Sequence, residues 1–332
     1  MTVADKVLVI GSNSFSGSSF CSHLMDLGID VIGTSRSTPP EAVMLPYTWG
    51  KKAGGFTFHK IDVNRDLDEL ERVIRTEHIK VVVNFAAQSM VGESWDRPDD
   101  WMQTNVVSAA RLAERLRHLD FLDRYVHVTT PEVYGSTDGW INESTPFNPS
   151  TPYAVSRAAG DMIFKIYRET FQLPVVSTRA ANVYGPGQQL YRIIPRTIFF
   201  LLTGRTLQLH GGGMSTRSFI HMDDVSKATW LIAQRAPVGE TFHISTDRII
   251  SIRELVDLLC RMLGKSFKDH VQVVGERLGK DSAYWLSSEK LKAALNWTDS
   301  ISLEAGLEET IAWVKNNEAA LQLQPLQYIH KS

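Results

Sequence analysis

In the first half of the chain, short apolar runs alternate with longer stretches whose apolar positions recur every three to four residues. The runs cover residues 7–10, 31–34, 56–61, 81–85, 125–130 and 175–180. Nearly continuous apolar character over so few residues is what a strand buried on both faces requires. Between them, residues 18–27, 66–75, 101–116 and 153–171 have the spacing of amphipathic helices long enough to cross back over a sheet. This alternation predicts βαβ units, and hence an α/β, Rossmann-type doubly wound parallel sheet.

Past residue 185 the rhythm changes. Glycine and proline punctuate the chain at Tyr184-Gly-Pro-Gly187 and His210-Gly-Gly-Gly213, and shorter strand and helix patterns follow. We expect the sheet domain to occupy residues 1–182 and a smaller C-terminal α/β substrate lobe to occupy 183–332. Residues 215–240 should pack back on the first domain, because 223–234 is amphipathic.

Composition narrows the function classes. With 43% hydrophobic and 22% charged residues, the chain has the make-up of a protein with an ordinary packed core. Lys+Arg 35 against Asp+Glu 37 leaves a net charge of −2, without the positive surplus that a nucleic-acid backbone or an anionic membrane attracts. The two cysteines, Cys21 and Cys260, match no metal-ligand or redox spacing. With no leader pattern and no long apolar run, the expectation is a cytoplasmic protein with no nucleic-acid partner, no membrane segment and no metal.

Val7-Leu-Val-Ile-Gly11-Ser-Asn-Ser14-Phe-Ser-Gly17 sets a glycine-rich turn directly after a strand and before a helix, the context of a dinucleotide fingerprint. Gly11 and Gly17 let the backbone approach a pyrophosphate, while free N–H groups at the helix start face its charge. Phe15 and Ser16 lie in the same turn. Ser14 replaces the usual middle glycine, so its hydroxyl is expected beside the phosphate or donating to it. The second strand ends at Gly33-Thr-Ser-Arg36, with no carboxylate for a ribose hydroxyl. Arg36 instead suits a 2′-phosphate, favouring NADP over NAD. Asp62 closes the third strand as an acceptor for the adenine amino group, with Val63 beside it.

Three further segments meet at one sheet edge if the sheet is parallel: Phe85-Ala86-Ala87-Gln88-Ser89, Thr129-Thr130-Pro-Glu132, and Tyr153-Ala-Val-Ser-Arg157. Tyr153 and Arg157 share a helix face. A cation there favours the phenolate and should bring the phenol toward neutrality as a base. Thr130 can hold the same substrate oxygen, and Glu132 adds a titratable group on that rim.

With these segments, the chain resembles the extended short-chain dehydrogenases/reductases, and most closely the nucleotide-sugar 4,6-dehydratases that act on GDP-mannose or dTDP-glucose. Thr104-Asn105-Val106, Asn182-Val-Tyr-Gly-Pro-Gly187, Arg217-Ser-Phe-Ile-His-Met-Asp223-Asp224 and Arg277-Leu-Gly-Lys-Asp281 carry the likeness over nearly the whole length. The resemblance implies that Tyr153 takes the sugar C4-hydroxyl proton as hydride leaves C4, that Thr130 polarises the oxygen, and that Glu132 removes the C5 proton. It adds Phe85, Ala86, Ala87, Asn105 and Thr129 to the cofactor site. It assigns Gln88, Ser89, Asn182, Arg217 and Arg277 to a nucleotide-diphosphate sugar, and implies a homodimer through helices 101–116 and 153–171.

Two departures stand out. Pro131 replaces an acidic residue of many relatives, as in the GDP-mannose branch, and Arg157 stands where lysine is usual. Epimerases, 5,6-dehydratases and uronate decarboxylases share the same first oxidation and remain alternatives. From another class, a weakly active cofactor-binding regulator also fits the departures.

Overall fold

The computed structural model describes residues 5–275 and 284–331. The first half runs β1 (Lys6–Ile10), α1 (Phe15–Asp26), β2 (Asp30–Ser35), β3 (Phe56–Lys60), α2 (Leu67–Thr76), β4 (Val81–Asn84), α3 (Pro98–Met102), α4 (Ser108–Leu116), β5 (Arg124–Thr129), β6 (Trp140–Ile141), α5 (Pro152–Phe171) and β7 (Val175–Ala180). The second runs β8 (Asn182–Tyr184), α6 (Ile193–Leu202), β9 (Leu207–His210), β10 (Thr216–His221), α7 (Met222–Arg235), β11 (Thr241–Ile244), β12 (Ile249–Ser251), α8 (Ile252–Met262), α9 (Phe267–His270), β13 (Val271–Val274), β14 (Trp285–Leu286), α10 (Glu289–Leu295), α11 (Leu303–Asn316) and α12 (Glu318–Leu321).

Seven strands form one parallel sheet in the order β11-β7-β5-β4-β1-β2-β3, the predicted Rossmann-type winding. After β3 the chain returns to the other side of β1, so the winding reverses between β1 and β4 and a crevice opens at their carboxyl ends. Alternation along β1 sorts the core. Val7 and Val9 join Phe20 and Leu24 of α1 and Val225 and Ala228 of α7, whereas Leu8 and Ile10 join Leu70 of α2 and Leu112 of α4 on the opposite face.

A second core packs α6, α8 and α11 around β9 through Ile194, Ile198, Leu255, Leu259, Leu307 and Leu209. It forms the smaller lobe, with β12-β10-β8 as a three-stranded sheet. Between the two, α7 packs on α1 and β11 pairs with β7 as the sheet's edge strand.

Two local patterns differ from the periodicity. The stretch 101–116 is one amphipathic pattern in sequence, yet a π-helical turn, Gln103–Val107, interrupts it. Buried Asn105 sits in that turn. Asn84 ends β4 by accepting from the Ala86 N–H at 2.9 Å, which turns the chain one residue earlier than its apolar run.

Candidate active site

The glycine turn is closed by its own atoms. A Cβ on Gly17 would lie 2.2 Å from the Gly11 carbonyl oxygen, and one on Gly11, at φ +85°, would lie 2.7 Å from the Ala86 nitrogen. Only glycine tolerates either position. Ser14 is the N-cap of α1: its hydroxyl accepts from the Gly17 N–H at 3.0 Å and donates to the Gly11 carbonyl at 2.7 Å. In this conformation the turn itself takes up the hydroxyl's proton and one of its two acceptor sites. Phe15 is buried in the core with Phe20, so its ring packs beneath the turn, while Ser16 stays half-buried on it.

Around this turn, Asn13 ties to the end of β2, donating to the Ser37 carbonyl at 2.9 Å. Arg36 follows β2 and bears electrostatically on Tyr328. Asp62 lies after β3, where its Oδ1 accepts from the Asn64 N–H at 2.9 Å. Val63, Ala86, Asn105 and Arg157 line one small internal cavity, and Phe85 packs against Phe20 with ring centroids 5.3 Å apart.

Asn105 works as a brace. It donates to the Gln88 carbonyl and the Ser156 hydroxyl, both at 2.9 Å, and accepts from the Gln88 N–H at 3.0 Å. Its amide thus locks the loop after β4 to α5, and Gly160 of α5 makes room for the Asn105 backbone carbonyl. Ser89, next along the loop, is exposed.

Thr130, Glu132 and Tyr153 converge at the carboxyl end of β5. Thr130 caps a 3₁₀ turn by accepting from the Glu132 N–H at 3.3 Å. The Tyr153 phenol is within electrostatic reach of Glu132, and the Thr130 hydroxyl hydrogen-bonds to it. Burial pushes this phenol above the ordinary tyrosine range. Arg157 and Thr130 pull it down and Glu132 pushes it up, with burial dominating. The expected approach to neutrality is therefore not reached in the protein alone, because a buried phenolate costs more than one nearby cation returns. The Arg157 guanidinium itself donates to the Val128 carbonyl of β5. The neighbouring Thr129 is half-buried, and its hydroxyl has no hydrogen-bond partner.

Beneath this rim lies a buried polar chain. Arg179 donates to Asp161 at 2.7 Å and to the Tyr134 hydroxyl at 2.9 Å. Arginine cannot accept, so the Tyr134 proton goes to His243 Nε2, 2.8 Å away, and that imidazole is neutral. Burial foremost, then Arg179, lowers His243 to about 3. Burial alone would raise Asp161, but Arg179 and His127 outweigh it and hold the carboxyl low.

From the smaller lobe come Asn182, at the start of β8, and buried Arg217, on β10. Arg277 lies outside the described residues. The sequence reading missed Tyr284, whose hydroxyl donates to Glu132 Oε1 at 3.1 Å and approaches Asn182 Oδ1 at 3.3 Å. It also missed a tail strap crossing from lobe to sheet. Arg196 donates to the Leu326 carbonyl at 2.8 Å, Tyr328 donates to Gln88 Oε1 at 3.3 Å, and Gln88 Nε2 donates to the Lys331 carbonyl at 2.8 Å. His330 stacks on Trp101 and meets Asp100 at 2.7 Å. Tyr284 stands seven residues beyond Arg277 with no motif of its own to mark it, and the strap's polar residues have no periodicity.

The GDP-mannose 4,6 dehydratase family model matches residues 8–310. The chain belongs to this family. Over 335 residues it is 30% identical to a dTDP-glucose 4,6-dehydratase of Xanthomonas campestris, covering 95% of this chain and 94% of the relative. A trifunctional UDP-glucose 4,6-dehydratase of Arabidopsis thaliana is 31% identical over 266 residues, 79% of this chain. The chain spans only 40% of that plant relative's length. Among solved structures, a dTDP-glucose 4,6-dehydratase from Streptomyces venezuelae with NAD bound superposes with a TM-score of 0.87 at 32% identity, covering 95% of this chain and 98% of the other. A UDP-glucuronic acid 4-epimerase from Bacillus cereus gives 0.84 at 26% identity, covering 94% and 99%.

No helix among the described residues is long and apolar enough to cross a membrane. One acidic group with histidine, His221, Asp223 and Glu309, draws its ligand atoms together. His221 Nδ1 accepts from the Asp223 N–H at 3.4 Å, and its Nε2 lies 3.5 Å from a Glu309 carboxylate oxygen.

Proposed function

We propose that this protein is a nucleotide-sugar 4,6-dehydratase that converts a nucleotide-diphosphate hexose to its 4-keto-6-deoxy form with a bound nicotinamide dinucleotide. The observation that carries this reading is the meeting of Thr130, Glu132 and Tyr153 on one rim above the crevice. The glycine turn supports the cofactor, since it lies between the carboxyl end of β1 and the N-terminus of α1, where free N–H groups suit a pyrophosphate. Held at the Gly11–Gly17 turn, a nicotinamide dinucleotide would supply the hydride acceptor for the sugar C4 and the hydride donor for C6.

The chain's own groups do the rest. Tyr153 accepts the C4-hydroxyl proton, helped by Arg157, and the Thr130 hydroxyl holds that oxygen. Once C4 is a ketone, the C5–H is acidic, and Glu132 removes it as water leaves across C5–C6. Pro131 offers no proton, so Glu132 serves as base and then as acid. Asn182 and Arg217 hold the diphosphate, where a guanidinium fork suits phosphate oxygens. Arg277 is assigned with them by its motif. The strap occupies both ends of the Gln88 amide, so Ser89 is the freer of the two for the sugar.

Arg36 supports NADP in preference to NAD, and Lys331, whose ammonium donates to the Ser37 hydroxyl at 3.3 Å, adds a second cation to that end of the crevice. A homodimer through residues 101–116 and α5 is supported by the exposed apolar residues Val107, in the turn before α4, and Val155, Met162 and Ile166 of α5, which water disfavours. Incubation with a panel of nucleotide sugars tests the whole reading. A product lighter by one water is expected, whereas an unchanged mass with inverted configuration would replace dehydration by epimerisation.

A further inference from the structure

Tyr284 reaches the rim from late in the chain by a short strand pairing. It immediately precedes β14, which pairs in parallel with β6 through Trp285↔Trp140 and Leu286↔Ile141. Since β6 follows the turn carrying Glu132, this pairing fastens residue 284 to the same loop. The Trp285 indole donates to the Thr216 hydroxyl at 3.2 Å. Beside it, the Arg217 guanidinium lies 4.6 Å over the Tyr284 ring. The phenol is therefore held from two sides, and it is only 6% exposed.

Among the described residues its hydroxyl has two acceptors in reach for its one proton, Glu132 Oε1 at 3.1 Å and Asn182 Oδ1 at 3.3 Å. An anionic carboxylate outcompetes a neutral amide oxygen for that proton. We propose that Tyr284 is a positioning residue for Glu132, its hydroxyl fixing the rotation of the carboxylate that takes the C5 proton. The inference rests on the dehydration reading above. In the step concerned, the C5–H bond breaks and its proton passes to Glu132. The C5–C6 double bond forms as the C6–O bond breaks, and the proton leaves with the departing oxygen as water. A carboxylate without this hydrogen bond loses alignment for both transfers.

Tyr284→Phe keeps the ring under Arg217 and removes only the hydroxyl. Its elimination rate is expected to fall about tenfold, the scale of one hydrogen bond to a charged group. C4 oxidation, read as the absorbance of reduced nicotinamide in a single turnover, stays at the wild-type rate, so that reduced form accumulates. The acid limb of the kcat profile moves to higher pH, because Glu132 loses a donor that favours its ionised form. In a Glu132→Gln background the same change costs nothing further. Tyr284→His, which restores a ring donor, recovers part of the rate and provides the comparison should the phenylalanine variant fail to fold.

Equal slowing of oxidation and elimination, an unmoved acid limb, or additive losses in the double variant would overturn the inference. A wild-type enzyme that releases no dehydrated product would instead overturn the reading beneath it.

Discussion

Glu132 and Arg157 decide most at the scale of single residues. Glu132→Gln should lower turnover by about 10²–10⁴-fold, the usual contribution of a positioned base, while single-turnover C4 oxidation survives; rapid-mixing absorbance separates the two. Arg157→Lys exchanges a guanidinium bonded to the Val128 carbonyl for a compact ammonium on a flexible stem. It should lower the Tyr153 limb in the pH profile and change kcat, and a profile identical to wild type would favour the regulator reading. The legibility of these residues in sequence was uneven. Thr130, Glu132 and Tyr153 lie at strand and helix ends with apolar runs to locate them. Ser14 was legible as a departure but not in its role, since whether a hydroxyl faces a ligand or caps a helix depends on the path of the turn.

Among the elements, the strap and the break before α4 matter most. The strap is held by carbonyls and side chains on both lobes, namely Arg196, Gln88, Asp100 and Trp101. Its route from Tyr191 to Ser37 follows the mouth of the crevice. Removing residues 326–332 should speed release of bound dinucleotide several-fold and leave the sheet intact, checked by displacement kinetics and by circular dichroism. Tightly retained cofactor suits a redox-neutral cycle, in which the hydride that leaves C4 returns within the same turnover. The π-helical turn at Gln103–Val107 escaped the periodicity because one wide turn shifts the register without changing which residues are apolar. Within it, Asn105 reaches both Gln88 and Ser156.

The whole molecule adds a pH dependence that no single element has. His243 is held at about 3 when folded against a free imidazole near 6.5. Between those values the unfolded chain binds a proton that the folded chain refuses, so stability falls as pH drops from about 6.5. His127, buried and lowered chiefly by desolvation, acts in the same direction. Asp161 adds a loss only at more acid pH, where its carboxylate takes a proton. Urea unfolding at stepped pH should give a slope that His243→Gln reduces by up to about 1.4 kcal/mol per pH unit. The exposed apolar residues of α5 and of the turn before α4 belong to this scale too. Ile166→Asp should halve the mass seen by light scattering, with the thermal midpoint of the separated chain lowered.

Sequence alone determined the alternation of strands and helices in the first half, the glycine turn and the residue types of the proposed site, because each is written in local periodicity or in a residue chemistry that cannot be substituted. Tertiary structure decided how those residues are employed. It turned the Ser14 hydroxyl inward, raised the Tyr153 phenol by burial, and delivered Tyr284 and the strap from the far end of the chain. Proton affinities and hydrogen-bond partners depend on what surrounds a group in space, and neighbours brought in by strand pairing leave no mark in the spacing of the residues they meet.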